Sequence, residues 1–130
     1  MNTDILNIEI QDYIDANLKS DISNLLLKGI PFDFIDSKII IEQMEAKKRC
    51  EKKLPTWFNT NNIYYPNKLN IEQTSSEITA KYKANLVSGK SLIDLTGGFG
   101  VDAYFFSKQI ENVTHCEINS ELSEIVKHNY

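Results

Sequence analysis

The chain has 130 residues, 42% of them hydrophobic and 25% charged, which is enough to bury the core of one ordinary domain. Its 14 basic and 18 acidic residues give a net charge of −4, which argues against a free-standing nucleic-acid-binding module but allows a local basic patch. Two cysteines provide neither a disulfide framework nor a metal-binding set, and no apolar run reaches the about 20 residues that span a bilayer. Since the first residues also lack the pattern of a signal peptide, we expect a cytoplasmic protein without a membrane partner or a metal.

The first part of the chain is predicted to be helical, because its apolar residues recur with a helical period. One helix begins near Thr3, and a second covers residues 22–28 and ends at Gly29. A third helix covers about residues 34–53 and is stopped by Pro55.

The middle of the chain, residues 54–70, shows no clean period but is rich in aromatic residues. We expect an ordered loop that lies against the next unit. Trp57, Tyr64 and Tyr65 could stack on nucleic-acid bases, but packing between the helical part and the sheet is the favoured interpretation. A further helix is predicted over 71–87, before Gly89.

The remainder of the chain has the pattern of a βαβ unit, which makes its two strands parallel. The predicted elements are a strand over 90–95, a helix over 102–109, a strand over 113–118 and a helix over 121–128. Because two parallel strands do not make a stable sheet by themselves, we expect the front portion of a longer protein. The predicted division is a helical domain with an ordered loop at 1–70 and the start of an α/β domain at 71–130.

A glycine-rich turn links the first predicted strand to the helix after it, with the sequence D-L-T-G-G-F-G-V-D at 94–102. Glycines here let the backbone approach a ligand closely, and the free N–H groups at the start of the helix would face that ligand. Glu117 follows Gly100 by 17 residues, at the end of the second strand, where a carboxylate can accept hydrogen bonds from a ribose diol.

The order of residues in this turn favours one class of nucleoside ligand. A dinucleotide fold would prefer G-x-G-x-x-G, whereas Asp94 opens the turn with a negative charge. A carboxylate repels a pyrophosphate but suits a ligand with an amino group and a sulfonium, which favours S-adenosylmethionine over NAD. The alternative is a tight turn that binds no ligand.

The turn, followed by H-C-E-I-N at 115–119, resembles motif I and the acidic second-strand end of class I S-adenosylmethionine-dependent methyltransferases. Within them it is most similar to a bacterial group, common in Bacteroidetes, with a helical N-terminal region and a THUMP-like domain at the far C-terminus. The upstream segments that carry the resemblance are I-E-Q at 41–43, K-L-P-T-W at 53–57, I-Y-Y-P at 63–66 and E-Q-T-S-S-E-I-T-A-K-Y-K at 72–83. Thr74 departs from the group, in which we would expect a cysteine.

The resemblance implies an α/β fold class: a helical N-terminal region followed by the first βαβ unit of a Rossmann-like methyltransferase fold. It implies that Asp94 lies near the methionine amino group, that Glu117 holds the ribose hydroxyls and that Ile118 packs on the adenine. The full set of cofactor-binding residues that it implies is Asp94, Thr96, Gly97, Gly98, Phe99, Gly100, Asp102, Glu117 and Ile118. Residues that contact the methyl acceptor normally follow the fourth strand, so none is assigned, and this chain alone is expected to be inactive.

Two polar clusters have competing interpretations. The first, on the helix before the cofactor strand, could line the mouth of the cofactor or substrate site, or could cap a helix; it comprises Gln73, Ser75, Ser76 and Thr79. The second could contact RNA phosphates, but is more simply a solvated helix end; it comprises Lys47, Lys48, Arg49, Lys52 and Lys53.

The expected function is therefore that of the N-terminal portion of an S-adenosylmethionine-dependent methyltransferase, with RNA (tRNA or rRNA) as the acceptor that the THUMP-like domain implies. The alternative from another class is a non-catalytic helical module that associates with a second copy through its open sheet edge. An NAD-linked oxidoreductase is disfavoured by Asp94 and by the order of the glycines.

Overall fold

A computed structural model describes all 130 residues and shows a mostly helical chain with one small sheet. A 3-10 turn at Thr3–Leu6 precedes the first α-helix. The helices are α1 (Ile8–Asn17), α2 (Ile22–Lys28), α3 (Ser37–Lys53), α4 (Pro55–Phe58), α5 (Lys68–Gln73), α6 (Glu77–Asn85), α7 (Val101–Phe106) and α8 (Ser120–Asn129). The strands are β1 (Ser91–Asp94) and β2 (Asn112–His115). None of the helices has the length and apolarity needed to cross a membrane.

Side-chain caps divide two of the predicted helices. The helix predicted from Thr3 is split at Asn7, whose side chain accepts a hydrogen bond from the N–H of Glu9 (2.9 Å) and starts α1. The single helix predicted over 71–87 is wrong, because the chain is extended at Thr74 and α6 restarts after Ser76. The Ser76 hydroxyl accepts from the N–H of Thr79 (3.2 Å), so hydroxyl side chains compete with the helix for backbone partners at this break.

The aromatic segment in the middle of the chain is ordered and packed, as predicted, but it is not a loop throughout, because α4 and the start of α5 lie within it. It includes the short helix α4, whose Trp57 is 3% exposed and packs against the helix that follows the glycine turn, with ring centroids 5.1 Å from Tyr104. Gln43 donates to the carbonyl of Tyr65 (2.7 Å) and accepts from its N–H (2.9 Å). Asn129 makes the same pair of bonds to Tyr64, so two amide side chains hold this non-repetitive segment in the way a neighbouring strand would.

The predicted parallel pair of strands is confirmed. β1 and β2 pair in parallel with Ser91 opposite Asn112 and Asp94 opposite His115, and α7 lies in the connection between them. β2 ends at His115 and not at Ile118 as predicted, so residues 116–119 form a loop beside the glycine turn.

One hydrophobic cluster of 21 buried residues runs from Ile5 to Ile125. It contains residues from both sides of the division predicted at residue 70, so the two predicted domains share one core. The division itself stays a prediction. This shared core fixes the helical part against the sheet, and it brings α5 and α6 to the carboxyl ends of the two strands.

Candidate functional site

Hydrogen bonds hold the glycine turn that connects β1 to α7. Asp94 Oδ1 accepts a hydrogen bond from the N–H of Thr96 (3.0 Å), and the N–H of Gly97 donates to the carbonyl of Cys116 (2.8 Å). The backbone of the turn thus continues the pairing of the sheet before α7 begins at Val101.

The three glycines of the turn serve different purposes. A Cβ at Gly97 would lie 2.7 Å from Cε1 of the His115 ring, and closer still to other ring atoms. A Cβ at Gly100, where φ is +82°, would lie 2.9 Å from the ring of Tyr130. Only Gly98, with φ +53° and nothing nearer than 3.9 Å, has open space above it. Gly97 and Gly100 therefore make room for neighbouring side chains of the protein, whereas Gly98 leaves space for a ligand.

Glu117 joins the glycine turn to the loop after β2. Its Oε2 accepts from the N–H of Gly98 (2.9 Å), and its Oε1 accepts from the N–H of Asn119 (2.8 Å). A carboxylate has about four acceptor positions, so capacity for further hydrogen bonds remains.

A cleft of about 580 Å³ opens between these loops and the break that separates α5 from α6. Its volume is within the range of small-molecule sites. Thr96, Gly97 and Gly98 line one wall, and Glu117 lines another beside Ile118, whose side chain is fully exposed. The cleft thus combines a bare apolar side chain with backbone and carboxylate groups at the carboxyl ends of two parallel strands.

An ion pair between α6 and α7 lies in the lining of the cleft. Lys83 Nζ on α6 lies 2.8 Å from Asp102 Oδ2 on α7 and 2.9 Å from Ser75 Oγ, which itself donates to Asp102 Oδ2 (3.0 Å). The other carboxylate oxygen of Asp102 is buried without a hydrogen-bond partner. The sequence analysis did not single out Lys83, although the spacing of charges on this helix is informative. Lys81 has Glu77 four residues before it, whereas Lys83 has no acidic residue three or four positions away. Lys83 therefore needs a partner from another element.

The structure brings together only some of the residues predicted to bind a cofactor. Asp94 is not among the residues that line the cleft, although its neighbour Leu95 is. Phe99 contributes its backbone only, because its side chain is fully buried against Trp57. Gly100 faces away from the cleft, towards Tyr130.

The four polar residues proposed for the mouth of the site also separate. Gln73 and Ser75 line the cleft, whereas Ser76 and Thr79 do not and instead form the N-terminal cap of α6. The alternative interpretation, a helix cap, therefore applies to Ser76, whose hydroxyl accepts from the N–H of Thr79. The roles of Gln73 and Ser75 in binding a ligand stay predictions.

The basic cluster on α3 is largely engaged within the protein. Lys47 is buried and pairs with Asp15, and Lys53 donates to the carbonyls of Ile71 and Glu72 (2.8 Å each). Arg49 lies 3.5 Å from the carboxylate of Glu72. Three of the five cations therefore have partners within the protein, so the expectation of a solvated helix end is wrong for them and fits only the exposed Lys48 and Lys52.

Comparison with known proteins gives one informative likeness. No family model and no curated protein matches the chain. Among solved structures, the chain is similar to the crystal structure of a "putative methyltransferase" from Porphyromonas gingivalis W83, with a TM-score of 0.78, 25% sequence identity and 99% of this chain covered. This likeness supports a methyltransferase fold. The match covers 32% of that chain, so this chain spans about a third of the length of the structure that it resembles.

Proposed function

We propose that this chain binds S-adenosylmethionine and is the cofactor-binding N-terminal portion of a methyltransferase. The observation that carries the proposal is the position of Glu117, whose carboxylate holds the N–H of Gly98 at the edge of the cleft. An acceptor-rich side chain at the end of the second strand, next to a glycine turn at the end of the first, suits a ribose diol. The fold shared with the Porphyromonas protein supports the reaction class.

The residues of the cleft fit this cofactor better than a dinucleotide. The charged side chains that line it are Asp102, Glu117 and Lys83, and Asp94 is the neighbour of the lining residue Leu95. This excess of acidic groups suits an ammonium and a sulfonium and repels a pyrophosphate. The exposed Ile118, next to Glu117, offers an apolar surface for the adenine.

The contribution of this chain to methyl transfer would be binding and orientation. When bound, S-adenosylmethionine supplies an electrophilic methyl group that a nucleophilic acceptor displaces in line. Glu117 and the N–H groups of the turn would fix the nucleoside, and Ser75 and Gln73 would border the same cleft. Such positioning accounts for much of the acceleration in reactions between two bound groups. RNA as the acceptor rests on the family resemblance alone, as does the THUMP-like domain.

Calorimetric titration of the chain with S-adenosylmethionine tests the proposal. We expect saturable binding that is weakened at least tenfold in Glu117→Ala, because the ribose would lose a charged acceptor worth about 1.5–3 kcal/mol. Glu111→Ala is the matched control, since Glu111 is exposed and lies at the opposite end of β2. Absence of binding by the wild-type chain, or equal affinity in both variants, would contradict the proposal.

A second candidate function, association with another copy, is favoured by an exposed apolar face on α6. Ile78, Tyr82 and Leu86 recur along one face of α6 and its end, and they are 82%, 64% and 67% exposed. The two-stranded sheet also leaves the outer edge of each strand unpaired. Light scattering over a concentration series would reveal a dimer, and Tyr82→Lys would then lower the measured mass. A monomer at all concentrations would exclude this candidate.

A further inference from the structure

Lys83 is the only cationic side chain that lines the cleft. It reaches the cleft from α6, and its side chain is 44% exposed, so it is open to a ligand even though it is paired. Two of its three ammonium hydrogens are accounted for by Ser75 Oγ and Asp102 Oδ2. One N–H donor of Lys83 therefore remains available to a ligand in the cleft.

The surroundings of Lys83 hold this donor in place. Asp102 Oδ2 accepts from both Lys83 and Ser75, and Asp102 is fixed in the first turn of α7, directly after the glycine turn. Because a lysine side chain is flexible, these two bonds remove much of the entropy that a ligand would otherwise have to overcome to order it. Asp102 is thus a positioning residue for Lys83, which can accept an anionic partner without rearrangement.

On the basis of the proposed function, we propose that Lys83 binds the carboxylate of the methionine moiety of S-adenosylmethionine. The cofactor has a single anionic group, and the lining of the cleft has a single cation to receive it. The ribose end of the ligand lies at Glu117 and the amino-acid end at α6, so these two side chains together set its direction in the cleft.

A pair of ligands that differ only in this carboxylate tests the assignment. S-adenosylmethionine and decarboxylated S-adenosylmethionine share the adenosine, the sulfonium and the amino group. We expect the wild-type chain to bind the first about tenfold more tightly, because a charge-assisted hydrogen bond is lost in the second. In Lys83→Met this preference should fall to less than about twofold, while the affinity for the decarboxylated compound stays within about threefold of wild type.

Two further variants separate recognition from general damage to the site. Lys81→Met removes a lysine from the same helix that is 60% exposed, pairs with Glu77 and does not line the cleft, so it should keep the wild-type preference. Lys83→Arg retains a cation and should restore most of the preference that Lys83→Met loses. Far-UV circular dichroism of each variant confirms that the helices are intact.

The outcomes distinguish this assignment from the proposed function itself. If the wild-type chain binds neither compound, the proposed function fails and this assignment fails with it. If it binds both compounds equally, or if Lys83→Met keeps the tenfold preference, the cofactor site stands and the role of Lys83 is overturned. A loss of preference in Lys83→Met that Lys83→Arg reverses and Lys81→Met does not share supports the assignment.

Discussion

The contact between Gly97 and His115 leads to the sharpest prediction about the glycine turn. The imidazole ring of His115 occupies the space that a side chain at position 97 would need, and its Nε2 lies 3.2 Å from the carbonyl oxygen of Gly98. Gly97→Ala would place a methyl group against this ring. We expect the variant to fold with reduced stability, because the ring must move aside to admit the new methyl group.

The expected loss of stability is the sum of two costs that the His115 ring incurs when it moves. Since the clashing atoms are the end of a side chain and not backbone, the ring turns away and loses its hydrogen bond to Gly98, which is worth about 0.5–1.5 kcal/mol. Holding the side chain away from its preferred rotamer costs about another 0.5–1.5 kcal/mol. The free energy of unfolding should therefore fall by about 1–3 kcal/mol, as for other overpacked sites.

Urea unfolding followed by circular dichroism measures this loss, and a double-mutant cycle identifies its cause. His115→Ala empties the space, so the double variant should be more stable than the sum of the two single effects by at least about 1 kcal/mol. Gly29→Ala is the control: φ at Gly29 is +82°, so an alanine there is strained by its own backbone, but nothing lies within 4 Å of its Cβ position. Its effect should therefore add to that of His115→Ala. Additivity within about 0.5 kcal/mol for Gly97 would refute the steric explanation.

Three further predictions concern buried polar groups and are all tested by urea unfolding. Glu77 is 4% exposed and accepts from both the N–H and the hydroxyl of Thr56, so Glu77→Ala should lower the free energy of unfolding by about 2–4 kcal/mol and Glu77→Gln by clearly less. Gln43→Leu should cost about 2 kcal/mol or more, because the buried N–H and carbonyl of Tyr65 lose their partner; a loss below 1 kcal/mol would contradict this. Burial raises the pKa of the Cys50 thiol from 9.0 to about 12, so above pH 9 the unfolded chain releases a proton that the folded chain keeps. Stability should then fall with rising pH by up to about 1.4 kcal/mol per pH unit from this group, and the same slope in Cys50→Ala would show that Cys50 is not its source.

Local signals in the sequence predict the elements of this fold well where one residue type dominates the local energetics. Gly29 ends α2 as predicted, and the apolar run followed by glycines marks β1 and the turn after it. The predictions fail at residues 74–76, where polar hydroxyls within an apparently continuous helical pattern end one helix and begin another. Both arrangements satisfy the local backbone, so the choice depends on the tertiary contacts of α6.

The candidate site also combines residues that the sequence predicts with residues that only tertiary contacts bring together. The glycine turn and Glu117 are recognisable because chemistry at the ends of parallel strands requires particular residue types at particular spacings. Lys83 was not recognised, since its partners Ser75 and Asp102 lie 8 and 19 residues away and meet it only when α6 packs on α7. Phe99 and Gly100 lie within the motif, but neither presents a side-chain position to the cleft. The side chain of Phe99 is buried, and the Cβ position of Gly100 faces Tyr130.

The sequence by itself determined the helical character of the first part of the chain, the parallel pair of strands and the turn after β1, because these depend on periodicity and on the positions of the glycines. Only the tertiary structure decided which polar groups face the cleft. Packing placed His115 beneath Gly97, Tyr130 against Gly100 and the α3 lysines against internal partners. A side chain is available to a ligand only after the protein's own contacts are satisfied, and those contacts join residues that are distant in the chain.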